Sequence, residues 1–317
     1  ESMGDWLYVP GRDPSTSQTA GGGAVRITDD GPLVWTAVVT REAPGTAAGL
    51  ETRFRVFAGS ERVEILHRFK KKSVLEPEAV LLRFPLAAER SEIVVGGAWG
   101  PWQAESDQLP GANRNYATME RWADLHDEAG GLQLVSVDVP GIQLGSIGTD
   151  ATVAGWRDSV DSTPVLYSYV MNNYWETNYR AAQDGPHELA YTLRPHSGFD
   201  RAAAERFAIE VAHPLAAREV EANSPAAAVP FQFLAERSIV TLLRALPEER
   251  YLVRIYNPSD EGEEVRFIHA GDAPVSSAVR TDPWGEPLPP GSPSSAPGTG
   301  SRLELSPLEV ATFLVAP

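Results

Sequence analysis

Apolar and polar residues alternate with a period of two along most of this chain. Thr52-Arg-Phe-Arg-Val-Phe57, Arg62-Val-Glu-Ile-Leu-His-Arg-Phe69, His187-Glu-Leu-Ala-Tyr-Thr-Leu193 and Tyr251-Leu-Val-Arg-Ile-Tyr256 each put apolar side chains on one face, the pattern of half-buried β-strands. Turn chemistry separates these runs at short intervals, in Asp30-Gly31-Pro32, Ala58-Gly59-Ser60, Gly130-Gly131 and Pro258-Ser-Asp-Glu-Gly262. The pattern predicts an all-β protein made of sandwiches.

One segment departs from it. Arg201 to His213 has helical spacing, with Asp200 placed to cap it, Pro214 to stop it, and Ala204, Phe207, Ala208 and Val211 as its apolar stripe. The stretch from Ala216 to Pro230 is rich in Ala, Pro and charge without a period, and reads as a linker. This places a domain boundary near residue 225, between a large domain over 1–224 that includes the helix and a small β-sandwich domain over 225–317. In the second, the Pro/Ser/Gly tract from Pro287 to Gly300 predicts a mobile hairpin loop, ahead of terminal strands Leu303–Leu305 and Glu309–Val315.

Composition narrows the partners. The chain has 317 residues, enough for two domains with substantial cores. Its net charge of −16 argues against nucleic acid and against an anionic membrane surface, and leaves a neutral ligand compatible. Without cysteine there are no disulfides, thiolate metal sites or cysteine nucleophiles. No apolar run approaches the ~20 residues of a membrane span. Glu1-Ser2-Met3 reads as a cut point, and a cytoplasmic location is expected if the source is bacterial.

The densest candidate chemistry lies in Asn172-Asn-Tyr-Trp-Glu-Thr-Asn178, introduced by Leu166-Tyr-Ser-Tyr-Val-Met171. Carboxamides exchange hydrogen bonds with vicinal hydroxyls, and Trp and Tyr faces cover the apolar C–H side of a pyranose. The same composition also makes a hydrogen-bonded corner between strands, and chemistry alone does not separate the two. Aromatics crowd around the segment, among them Trp99, Trp102, Tyr116, Trp122, Trp156 and Tyr179; most are core fillers and a subset can line a concave face. The six histidines are scattered without metal-ligand spacing, and read as structural or surface residues. Asp107, Asp161 and Glu176 read as turn or loop carboxylates, and Gly21-Gly22-Gly23 as a flexible tether.

The order of the segments adds what no single one carries. Glu76-Pro-Glu-Ala-Val-Leu-Leu-Arg-Phe-Pro-Leu86, Asp107-Gln-Leu-Pro-Gly-Ala112, Tyr116-Ala-Thr-Met-Glu-Arg-Trp-Ala-Asp124, Gly145-Ser-Ile147, Tyr167 to Asn178 and the helix ending in His213-Pro-Leu215 follow one another in a succession that resembles the C-terminal β-region of glycoside hydrolase family 38, the α-mannosidase family. Leu252-Val-Arg-Ile-Tyr-Asn257, Asp282-Pro-Trp-Gly-Glu286 and Ser306-Pro-Leu-Glu-Val-Ala-Thr312 look like that family's terminal sandwich.

The resemblance covers nearly the whole chain, and implies a galactose-mutarotase-like supersandwich followed by a small β-sandwich. It also implies that the catalytic zinc, its ligands and the catalytic carboxylates belong to an N-terminal domain of the same polypeptide. This stretch would then carry no catalytic residue, metal or cofactor, and its partners would be that domain and a mannose-type glycan. Its expected contribution is to the rim of the sugar site: Asn172, Asn173 and Asn178 as hydroxyl partners, Trp175 as a wall, Asp107 and Gln108 as neighbours, and Arg180 as a positive group. Two further readings stay open, a stand-alone carbohydrate-binding module and a mutarotase-like epimerase or lyase. The latter needs a His paired with a Glu on a concave face.

Overall fold

The computed structural model describes residues 3–86, 91–98, 100–148, 156–161, 163–174, 180–217, 219, 231–269, 274–289 and 302–316. The chain divides into two compact units, Glu1–Phe199 with Val211–His213, and Asp200–Glu210 with Pro214–Pro317. The division thus falls near residue 200 rather than 224. The helix α1 (Arg201–Ala212) sorts largely with the second unit, where Arg206 donates to the backbone carbonyls of Glu236 at 2.8 Å and Arg237 at 3.4 Å. As expected, Asp200 caps it, its carboxylate accepting the Ala203 N–H at 2.7 Å. Its buried face is Ala202, Ala204, Glu205 and Ala208, displaced from the predicted stripe, since Phe207 and Val211 are only half-buried.

In the first unit six strands form one antiparallel sheet: β1 (Asp5–Pro10), β2 (Gln18–Thr19), β7 (Glu78–Pro85), β10 (Ala117–Thr118), β13 (Gly141–Leu144) and β14 (Val165–Asn172), in the order β10-β13-β14-β7-β1-β2. Nine form the other: β3 (Gly23–Asp30), β4 (Val34–Arg41), β5 (Thr46–Phe57), β6 (Val63–Lys71), β8 (Glu92–Gly97), β9 (Gly100–Gln103), β11 (Trp122–Asp127), β12 (Gly130–Val135) and β15 (Gly185–His196). Their order is β3-β4-β5-β6-β15-β12-β11-β8-β9. Alternation decides what each strand buries. Trp6, Val80, Leu82, Phe84, Ile142 and Leu166 from the first sheet meet Ile65, Phe69, Ile93, Leu125, Leu134, Leu189 and Tyr191 from the second in one core cluster. This is the expected supersandwich. The nine-stranded sheet is the wider of the two, and all of β3 is exposed.

Of the two roles open to the histidines, structural or surface, His67 takes the structural one. It is fully buried on β6, its Nδ1 3.0 Å from the Thr52 hydroxyl. Register explains it, because Thr52 pairs with His67 and both follow the core-facing parity of Ile65 and Phe69. Burial first, and the positive charge of Arg41 second, push the imidazole pKa down to about 3.

The second unit is the predicted small sandwich. One sheet holds β16 (Gln232–Leu234), β19 (Glu263–Ile268) and β21 (Arg302–Leu305), and the other β17 (Ile239–Leu246), β18 (Arg250–Tyr256), β20 (Ser277–Thr281) and β22 (Val310–Ala316) in the order β17-β18-β22-β20. Val265, Phe267, Leu303 and Leu305 pack there with Val253, Ile255, Phe313 and Val315. Most of the tract from Pro287 to Gly300 lies outside the described residues.

Candidate functional site

The outer face of the six-stranded sheet carries the described part of the Asn-rich segment. Leu7, Val9, Ala79, Leu81, Val165, Tyr167 and Tyr174 make a second apolar cluster there, with Ile147 and Tyr169 packed against it. Tyr116 and Tyr169 lie ring to ring at 5.1 Å. Strand register sets Arg83, Tyr167 and Gln143 side by side across β7, β14 and β13. Gln143 is fully buried, and among the described residues neither its carbonyl oxygen nor its amide nitrogen has a hydrogen-bond partner. Two unpaired amide atoms in an interior cost free energy unless water or a ligand group meets them. Beside Gln143, Arg157 donates to the Ser146 carbonyl at 3.2 Å and to the Asp161 carboxylate at 2.7 Å.

The rim residues expected from the sequence divide by role. Asn173 is buried, and its carboxamide is fully committed to the chain. Its oxygen accepts the Glu78 N–H at 2.5 Å, and its nitrogen donates to the carbonyls of Glu76 at 2.8 Å and Val74 at 3.3 Å. It is a corner residue: its amide nitrogen is spent on two backbone carbonyls and its oxygen holds a backbone N–H. Asn172 accepts the Tyr174 N–H at 3.1 Å, an Asx turn that ends β14. Asp107 accepts the Gln103 N–H at 2.6 Å and Gln108 the Glu105 N–H at 3.2 Å, so both close the loop after β9. That loop leaves the edge of the nine-stranded sheet, whereas Asn172 and Asn173 end a strand of the other sheet; among the described residues the two pairs share no hydrogen-bond partner. Trp175 and Asn178 lie outside the described residues. Arg180 pairs with Asp184 at 2.6 Å and is largely exposed.

Next to Asn173 lies a buried ion pair. The Lys71 ammonium meets the Glu78 carboxylate and also donates to the Lys72 carbonyl at 3.0 Å; its side chain is 0% exposed and that of Glu78 7%. Burial first, then the hydrogen bond to Glu78 and its charge, raise the Tyr8 hydroxyl well above the usual phenol range.

A second constellation was missed in the sequence. On the face of the nine-stranded sheet away from the core, the fully buried Asp124 receives the His126 Nδ1 at 2.9 Å on one oxygen and the His196 Nε2 at 2.8 Å on the other. The other nitrogen of His126 lies 3.8 Å from the Glu92 carboxylate, and His126 stacks flat on Phe199 at 4.4 Å. Burial alone would raise the Asp124 carboxyl; the hydrogen bonds and charge of the two imidazoles outweigh it and hold the group below the usual carboxylate range. Asp124-Leu-His126 spaces its ends two apart on a strand, hence on one face; that spacing was the available signal, while His196 reaches them only through β12.

A cleft of about 1180 Å³ is lined by Gln18, Thr19, Gly21–Ala24, Thr40–Pro44, Thr46–Gly49 and Lys72, with no aromatic ring. The triple glycine read as a tether belongs to its wall. Gly23 opens β3, and a Cβ there would come within 2.7 Å of the Thr40 carbonyl oxygen, so the close approach of β4 requires glycine. Among the described residues no group of three or more His, Asp or Glu is disposed to hold a metal ion.

No protein-family model and no curated protein matches the sequence. Solved structures match the fold. An α-mannosidase from Enterococcus faecalis V583 superposes with a TM-score of 0.74 at 11% identity over 98% of this chain and 38% of its own. A glycosyl hydrolase family 38 protein from Enterococcus faecalis superposes with 0.72 at 12% identity, over 98% of this chain and 40% of its own. This chain therefore has, from end to end, the fold of about two-fifths of a family 38 α-mannosidase, as the order of its segments implied.

Proposed function

We propose that this chain is the non-catalytic C-terminal β-portion of a family 38 type α-mannosidase, which supports a zinc-bearing catalytic domain on the same polypeptide and supplies part of the rim of a mannose site. The observation that carries the reading is the extent of the fold likeness, nearly all of this chain against less than half of an α-mannosidase. The outer face of the six-stranded sheet is the favoured rim, because tyrosine rings and the unpaired Gln143 carboxamide lie there together. Zinc, when bound in the catalytic domain, would polarise the sugar hydroxyls. The residues here hold the apolar and hydrogen-bonding wall against which a sugar is oriented.

The test is hydrolysis of an aryl α-mannoside by the purified chain with zinc or cobalt, alone and joined to the coding region upstream. No turnover alone and metal-dependent turnover in the longer protein is the expected result. Metal-dependent turnover by the chain alone, or an upstream region without an Asp- and His-bearing domain, would overturn the reading.

A second reading, a mutarotase-like epimerase, is favoured by one observation, the approach of Glu92 to the Asp124-bound His126. Faster interconversion of galactose anomers with the chain present, lost in His126→Ala, would support it; a rate equal to buffer would remove it.

A further inference from the structure

The turn Asp282-Pro-Trp-Gly-Glu286 closes β20 in the second unit, and its tryptophan is 82% exposed. The turn itself is tightly held. One Asp282 carboxylate oxygen accepts the N–H groups of both Trp284 and Glu286 at 2.9 Å. The Asp282 N–H donates to the Glu286 carbonyl at 2.9 Å, and the Gly285 N–H returns to the Asp282 carbonyl at 3.1 Å. Arg254 on β18 donates to the Pro283 carbonyl at 2.9 Å, and Thr281 bridges Pro287 behind the turn. Gly285 has φ of +97° and lies against Leu252, so the turn folds onto the face of its sheet opposite the core. Register continues that face from Leu252 through Leu314 to Val279, which is 52% exposed.

A single indole held out in water by a rigid turn forgoes its own burial. The preorganisation is what a stacking platform needs, since no loop has to be ordered when a ligand arrives. Its surroundings select among ligands. Asp282 and Glu286 stand two residues to either side of Trp284 in the turn, and the chain carries −16 overall, which disfavours an anion. Polar groups beside one flat ring suit a molecule with an apolar C–H face and equatorial hydroxyls.

We propose that Trp284 is a stacking platform for a neutral pyranose in an oligo- or polysaccharide, a sugar-contact site on the second unit separate from the rim on the first. The proposal does not depend on the α-mannosidase reading, because it needs no residue outside the second unit.

Affinity electrophoresis of the intact chain tests it, in gels cast with soluble α-mannan, soluble β-glucan or anionic dextran sulfate. Retardation is expected in at least one neutral gel, with Trp284→Ala raising Kd at least tenfold and Trp284→Tyr preserving most of the affinity. The melting temperature of Trp284→Ala should equal that of the wild type, since the bonds of the turn run through backbone and Asp282. If it falls instead, the tyrosine variant decides. No retardation in either neutral gel, retardation only by dextran sulfate, or undiminished retardation of Trp284→Ala would each overturn the proposal.

Discussion

Asn173 and Glu78 grip each other twice: the Glu78 N–H donates to the Asn173 side chain at 2.5 Å, and the Asn173 N–H donates to the Glu78 carbonyl at 3.1 Å. With the two bonds from its amide nitrogen to Val74 and Glu76, Asn173 ties the segment before β7 to the end of β14. Asn173→Ala leaves one buried donor and two acceptors without their partner, so a loss of about 2–4 kcal/mol is expected in urea unfolding. A value within 0.5 kcal/mol of wild type, a margin typical of surface changes, would show that the corner does not need it.

The Lys71–Glu78 pair gives an asymmetric expectation. Lys71→Met strands a buried carboxylate and should cost about 3–5 kcal/mol. Lys71→Met with Glu78→Leu removes both charges, and should recover more than half of that loss. Equal instability of the single and double variants would show that the pair itself, rather than the stranded charge, sets the penalty.

His67 makes the fold acid-sensitive. Above pH 6.5 the ring is neutral in both folded and unfolded chains and contributes no pH dependence. Below it the unfolded chain takes up a proton that the folded chain refuses until about pH 3. Stability should therefore fall as pH drops through that window, by up to about 1.4 kcal/mol per unit. The slope between pH 6 and pH 4 should be shallower in His67→Phe; an unchanged slope would assign the acid sensitivity to other groups.

Gly96 faces the indole of Trp122, and a Cβ at this position would lie 2.4 Å from the ring nitrogen. Trp122 is 1% exposed and has no room to retreat. Gly96→Ala should cost about 1–3 kcal/mol by overpacking, and Trp122→Phe should restore part of it. An alanine variant with an unchanged unfolding midpoint would mean that the indole shifts freely.

Local pattern carried far in this chain. The four alternating runs all became strands, the turn signals fell between strands except Gly130-Gly131, which opens β12, and Asp200 capped the helix, because each depends on neighbours a few residues away. Residue roles that depend on pairing across the sheets were not legible. Asn173 looked like a sugar ligand because nothing in its neighbourhood reveals that its carboxamide serves a backbone 95 residues earlier. Whether His67 was structural or on the surface stayed open in sequence, because its parity is set by Thr52 and by the opposite sheet. Asp124 and His126 share a strand face at readable spacing, but His196 reaches them from 72 residues away. Gln143 gives no sign in sequence that it will be buried without a partner.

The pairing of β6 with β15 governs how this chain must be made. Arg68 and Glu188 meet across that seam although 120 residues separate them. During synthesis the meander β3-β4-β5-β6 leaves the ribosome well before β15, and the edge of β6 then waits, with its backbone groups open, until β15 has emerged. For that interval the nascent protein presents a sticky sheet margin that the finished fold conceals, an edge open to pairing with other chains until its late partner arrives.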